Sequence, residues 1–158
     1  MTTTSEENRE KKHDEIVDAL QSLLEKNYDA EKGFKNAIDN TKHHSLKTYL
    51  KEQAVKRNRF ATEIDFEIRA LNAKPKESGS ASASIHRAWM DLKSAIAGND
   101  DEAILEECIR GEKASVEEYE EVIEKHTLPT KIEQVITKQL GDIKQTLTKI
   151  KSLEDLAD

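Results

Sequence analysis

Cysteine occurs once, at Cys108, so the chain has no internal disulfide and no cysteine-based zinc cluster. Proline occurs twice and glycine five times in 158 residues. Sandwiches and barrels need turn residues roughly every 8–12 positions, and this sequence does not supply them. Aromatic residues make up only 4%, which also points away from β architecture and toward long helices. No apolar run approaches the roughly 18 residues of a membrane span. The opening MTTTSEENREKK holds no signal-peptide apolar core, so a cytoplasmic protein without a membrane partner is expected. Basic residues are the minority, 25 against 32 acidic for a net charge of −7, which weighs against nucleic acid as a partner.

What is present is apolar residues at helical spacing. They recur from Ile16 through Leu20, Leu23, Leu24, Phe34 and Ala37 to Ile38, and again from Leu46 through Leu50, Phe60, Ile64 and Ile68 to Leu71. A third run spans Ile104 to Ile123 and a fourth Ile132 to Leu153. Each helix predicted in this way is roughly 40–50 Å long at 1.5 Å per residue. The breaks lie at Asn40–His44, at the polar stretch around Pro75, at Gly98–Asp101, and at His126–Pro129, where Thr127 or Thr130 is the expected cap. The first and last helix pairs have short links and so form antiparallel hairpins. Residues 74–99 join the hairpins and carry a short helix expected at about 83–97, with Ile85, Trp89, Leu92 and Ile96 on one face. Such a long crossover makes the second and third helices parallel. The expected fold is therefore an all-α, ferritin-like four-helix bundle, a single domain over 1–158 with residues 1–9 frayed.

Charge is uneven along the chain. From Lys42 to Arg59 the balance is +5, and from Asp100 to Lys125 it is −8. The expectation is that the basic run lies beside the acidic helix and is partly neutralised there.

The apolar stripes are interrupted at informative places. Asn27 and Glu31 break the first, Gln53 and Arg57 the second, Glu112 the third (with Tyr119 two turns on), and Gln139 the fourth. At 1.5 Å per residue, Glu31, Arg57, Glu112 and Gln139 fall roughly 16–25 Å from one end of the bundle. All four helices then send polar side chains into one central layer, which survives burial only if its members are paired. Ferritin-like di-metal centres use a lone Glu on each of two helices and a Glu-x-x-His on each of the others. Glu31 and Glu112 suit the lone positions, but the histidines are missing. The only Glu-x-x-His, Glu10 to His13, precedes the apolar pattern. Arg57 cannot ligate a metal, yet it can bridge carboxylates. The reading is a network in which Arg57 lies between Glu31 and Glu112, completed by Gln53, Gln139 and Tyr119. The alternative is an iron or manganese site on Glu31 and Glu112.

Other candidates are weaker. His86, Arg87 and Trp89 form a candidate binding surface on the crossover; the simpler reading has Trp89 anchoring the short helix. Cys108 lies on an apolar stripe and reads as a core residue. His43 and His44 sit at a turn and are expected to face water. There is no phosphate-binding glycine loop and no nucleophile elbow.

Ser78-Gly79-Ser80, the run Ile85-His86-Arg87-Ala88-Trp89-Met90-Asp91-Leu92-Lys93, Gly111-Glu112 with Tyr119, and Leu128-Pro129 resemble a bacterial family of ferritin-like four-helix-bundle proteins of unknown function. Asp29-Ala30-Glu31 with Phe34, and Arg57-Asn58-Arg59-Phe60, are similar to its first two helices. The resemblance implies the ferritin-like fold and no particular activity. The expectation is a non-enzymatic structural, binding or stress-associated protein with a degenerate central site. A carboxylate metal-binding protein and a helical interaction module, with a homodimer or protein partner, are the alternatives.

Overall fold

The computed structural model describes residues 4–77, 92, 94–98 and 100–156. These residues are helical wherever they are regular: α1 (Thr4–Ile38), α2 (His44–Ala70), α3 (Asp101–Lys125), α4 (Thr130–Lys149) and a final 3-10 turn, Leu153–Leu156. No strand occurs among the described residues.

Helix limits follow from local chemistry. α1 begins at Thr4, so the stretch expected to fray is helical from there; Glu6 and Glu7 in its first turn complement the helix dipole. α2 is capped by His43, whose Nδ1 accepts from the Leu46 amide at 3.2 Å; this histidine does not simply face water. α2 ends in a Schellman arrangement. Asn72 takes φ 62, its amide donates to Arg69 O at 2.9 Å, and the Ala73 amide donates to Ile68 O at 3.2 Å. Asp100 caps α3, accepting from the amides of Glu102 and Ala103. At α4 the N-cap is Pro129 with no side-chain bond, so neither Thr127 nor Thr130 caps it. α4 also stops at Lys149 rather than running to Leu153. Of the expected 83–97 helix, residues 92 and 94–97 are helical and Leu92 is buried. The remainder, with His86, Arg87 and Trp89, lies outside the described residues.

Cross-helix pairs fix the directions. His13 Nε2 bonds Leu71 O at the end of α2 and Asn27 meets Arg57, so α1 and α2 are antiparallel. Glu67 of α2 meets Lys131 of α4, Glu63 meets Gln139 and Lys56 meets Thr146, so α4 runs antiparallel to α2. Asp101 accepts the Lys42 and His43 amides while Glu112 pairs with Arg57, which sets α2 and α3 parallel. The end of α2 and the start of α3 therefore lie at opposite ends of the paired helices.

Two apolar clusters result. One joins Leu20, Leu23 and Leu24 of α1 to Phe60, Ile64 and Ile68 of α2 and to Ile132, Ile136, Leu140 and Ile143 of α4. The other joins Ala30, Phe34 and Ala37 to Leu46, Tyr49 and Leu50, with Leu92, Ile104, Leu105 and Cys108. Along α1, α2 and α3 the switch from one cluster to the other falls where the sequence turns polar, near Asn27, Arg57 and Glu112, whereas α4 packs in the first cluster throughout.

The charges settle differently from the expectation. Of the basic run, only the Arg57 side chain reaches α3 among the ion pairs of the described residues. The acidic helix is met instead by Lys26 of α1 at Glu118, Lys144 of α4 at Glu120, and its own Arg110 and Lys125.

Candidate functional site: a charged layer between two apolar cores

Arg57 is the centre of the layer. It stands on the inward face of α2 between Ala54 and Phe60, only 1% exposed, opposite Glu112 at 0%. Its Nη2 donates to Glu112 Oε1 at 2.8 Å and its Nη1 to Asn27 Oδ1 at 2.9 Å. Burial works against the guanidinium charge. The Glu112 charge and hydrogen bond, with help from Tyr119 and Glu118, outweigh it and hold Arg57 above its ordinary value.

From Arg57 a chain of hydrogen bonds, donated in one direction, passes through all four helices and returns to α2. A guanidinium only donates, so the Asn27 carbonyl must face it and the amide nitrogen must face away. That nitrogen donates to Leu23 O at 2.8 Å and to Tyr119 Oη at 2.9 Å. Tyr119 in turn donates to Gln139 Oε1 at 2.7 Å. Gln139 Nε2 donates to Phe60 O at 3.3 Å and to Glu63 Oε1 at 3.0 Å. The path begins on a cation and ends on a carboxylate, with every dipole aligned head to tail, so its bonds polarise one another. Burial pushes Tyr119 up to about 12, against the lowering pull of Arg57 and the Asn27 bond. The phenol therefore stays a donor.

The sequence-derived layer is thus assembled in most of its members: Asn27, Arg57, Glu112, Tyr119 and Gln139 form one connected network. Glu31 does not join it. Its carboxylate is held by Lys35 at 2.8 Å and by Asn58 at 3.2 and 3.4 Å, so Arg57 bridges Glu112 and Asn27 rather than two carboxylates. Gln53 is buried at 4% exposure, but its Oε1 has no hydrogen-bond partner; Arg57 Nε and Glu112 Oε2 share that condition. Glu63, the acceptor at the end of the chain, lies off the apolar stripe of α2 and carried no signal in the sequence. Ser115, buried and bonded to Gly111 O, was also missed; a small residue one turn past a glycine is its only sequence mark.

The donor set does not form a metal cage. Glu112 Oε1 is engaged by Arg57, and Glu31 by a lysine and an amide. Among the described residues no group of three or more His, Cys, Asp or Glu side chains is placed to hold an ion. Cys108 is buried, and burial, with Glu112 and Glu107 nearby, pushes its thiol well above the ordinary value, away from the nucleophilic thiolate. Burial likewise raises Tyr49, beside Glu112.

Fold and site together define an all-helical protein with a charge-paired hydrogen-bond layer in its core. No helix of the described residues is long and apolar enough to cross a membrane. The chain belongs to a family described as a domain of unknown function, DUF2383, whose model matches residues 15–125. That span contains Asn27, Arg57, Glu112 and Tyr119, while Gln139 and the rest of α4 lie beyond it. No curated protein matches the sequence.

Proposed function

We propose that the chain is a ferritin-like four-helix bundle whose central site is a structural hydrogen-bond network, and that its role is structural or binding rather than enzymatic. The observation that carries this reading is Arg57, fully buried where a ferritin-like centre would place its ions and bonded to the one carboxylate at full burial there. A fixed positive charge in that position repels a cation and uses the oxygen that would ligate it. The helix directions, with α2 and α3 parallel across a long crossover, support the ferritin-like topology. A cytoplasmic location fits the same reading.

The competing proposal is a carboxylate site for iron or manganese using Glu31 and Glu112. Metal analysis of purified protein, after incubation with either ion and desalting, decides between them. The network reading expects well under one equivalent in the wild type and no change for Glu112→Ala. Stoichiometric metal that is lost on Glu112→Ala would overturn it.

A further inference from the structure

Three buried polar atoms of the central layer have no hydrogen-bond partner within the protein: Gln53 Oε1, Arg57 Nε and Glu112 Oε2. They belong to one corner of it. Gln53 and Arg57 are four residues apart on α2, the spacing that brings two side chains together on one helix face, and both are buried. Glu112 holds the same guanidinium through its other oxygen, Oε1, at 2.8 Å from Arg57 Nη2. A guanidinium is a rigid planar fork and a carboxylate is planar too, so that one bond keeps Arg57 Nε and Glu112 Oε2 close to each other.

The corner offers one donor and two acceptors. The N–H and the guanidinium charge repel a cation, and the two oxygens repel an anion. Water both accepts and donates twice, so it alone among small species satisfies all three atoms. Internal waters are kept in proteins by this kind of need, typically through about three hydrogen bonds to groups that otherwise have none. Solvent is also near. Tyr49 and Gln53 line a cavity of about 460 Å³ between the first half of α2, the end of α4 and the final 3-10 turn, so Gln53 stands between the corner and the outside.

We propose that one water molecule is built into the layer here, accepting from Arg57 Nε and donating to Glu112 Oε2 and Gln53 Oε1. All three guanidinium nitrogens then donate, to Asn27, to Glu112 and to the water. The same water closes the second arm of the Arg57–Glu112 pair and gives Gln53 its place in the layer. The inference rests on the network reading of the site; that reading fails by metal uptake, this one by a dry corner.

The test uses the full ¹⁵N-labelled chain. In the wild type, the Arg57 Nε–H proton is expected to give NOE and ROE cross-peaks to water, with the opposite signs of a water that tumbles with the protein. Relaxation dispersion of solvent ¹⁷O counts long-lived waters and does not see exchanging hydroxyls such as Tyr119 and Ser115. Its amplitude is expected to fall by about one water in the Arg57→Met, Glu112→Leu double variant, which leaves a single partner where about two to four are needed. Circular dichroism checks that this variant is folded, and if it is not, the wild-type cross-peaks decide alone. Absence of a water cross-peak at Arg57 Nε–H overturns the proposal, since the nitrogen then closes directly on a protein oxygen. An unchanged ¹⁷O amplitude in the folded double variant overturns it as well.

Discussion

Replacing Arg57 by methionine tests the central layer most directly. The guanidinium is 1% exposed and its partner Glu112 is 0% exposed, so the substitution strands a carboxylate with no bulk water to receive it. Removing one member of a buried pair costs about 3–5 kcal/mol. Asn27 Oδ1 loses its donor at the same time, for about 1–3 kcal/mol more. Taking the lower end of each range, Arg57→Met is expected to lose about 4 kcal/mol at pH 7. That is a large share of the about 5–15 kcal/mol that holds a typical domain folded. Glu112→Leu alone strands the guanidinium and costs a similar amount. The double variant, Arg57→Met with Glu112→Leu, strands no charge and is expected to recover much of the loss. Urea denaturation followed by helical circular dichroism on all four proteins gives the coupling, expected at about 2 kcal/mol or more. Additive losses in the double variant, or an Arg57→Met cost below about 1 kcal/mol, would refute the argument that this pair is the core of the layer.

Tyr119 gives the layer a signature in base. Its pKa rises from the ordinary 10.0 to about 12, so the unfolded chain ionises first. Its contribution is intact below about pH 10 and is lost as pH climbs toward about 12. Urea midpoints at pH 8 and pH 11 should therefore fall less in Tyr119→Phe than in the wild type, although the variant starts lower because Asn27 and Gln139 lose a partner. Asn72 pays for φ 62 at the end of α2. Asn72→Gly should gain a few tenths to about 1 kcal/mol and Asn72→Val should lose more than about 1 kcal/mol, both read by thermal unfolding. In α4, a Cβ added at Gly141 meets nothing within 4 Å, so Gly141→Ala should stabilise by about 0.5–1 kcal/mol in the same assay.

How far the sequence could be read differs from residue to residue. Asn27, Arg57, Glu112 and Gln139 were visible because each interrupts an apolar stripe, and a polar residue facing inward needs a partner whatever the fold. Glu31 shows where that reasoning fails. It lies one turn after Asn27 on the same stripe, but four residues advance a helix by about 40° beyond a full turn. The rotation is enough to carry a long carboxylate to the helix edge, where Lys35 and Asn58 take it. Gln53 was correctly expected to be buried, but stripe position says nothing about whether its amide is satisfied. Lys56 and Thr146 left no trace as a pair, because they are ninety positions apart and meet only where α2 passes the end of α4.

The sequence by itself determined the helices, their approximate lengths, the direction forced by each short or long connection, and the height at which the core turns polar. These depend on periodicity and chain reach, which are local. Only the tertiary structure decided that the second partner of Arg57, beside Glu112, is Asn27 rather than Glu31, and that the hydrogen bonds run one way from Arg57 to Glu63. Those outcomes turn on the rotation and axial register of one helix against another to within an ångström or so, on the scale of a hydrogen bond. Packing of the whole core sets that register.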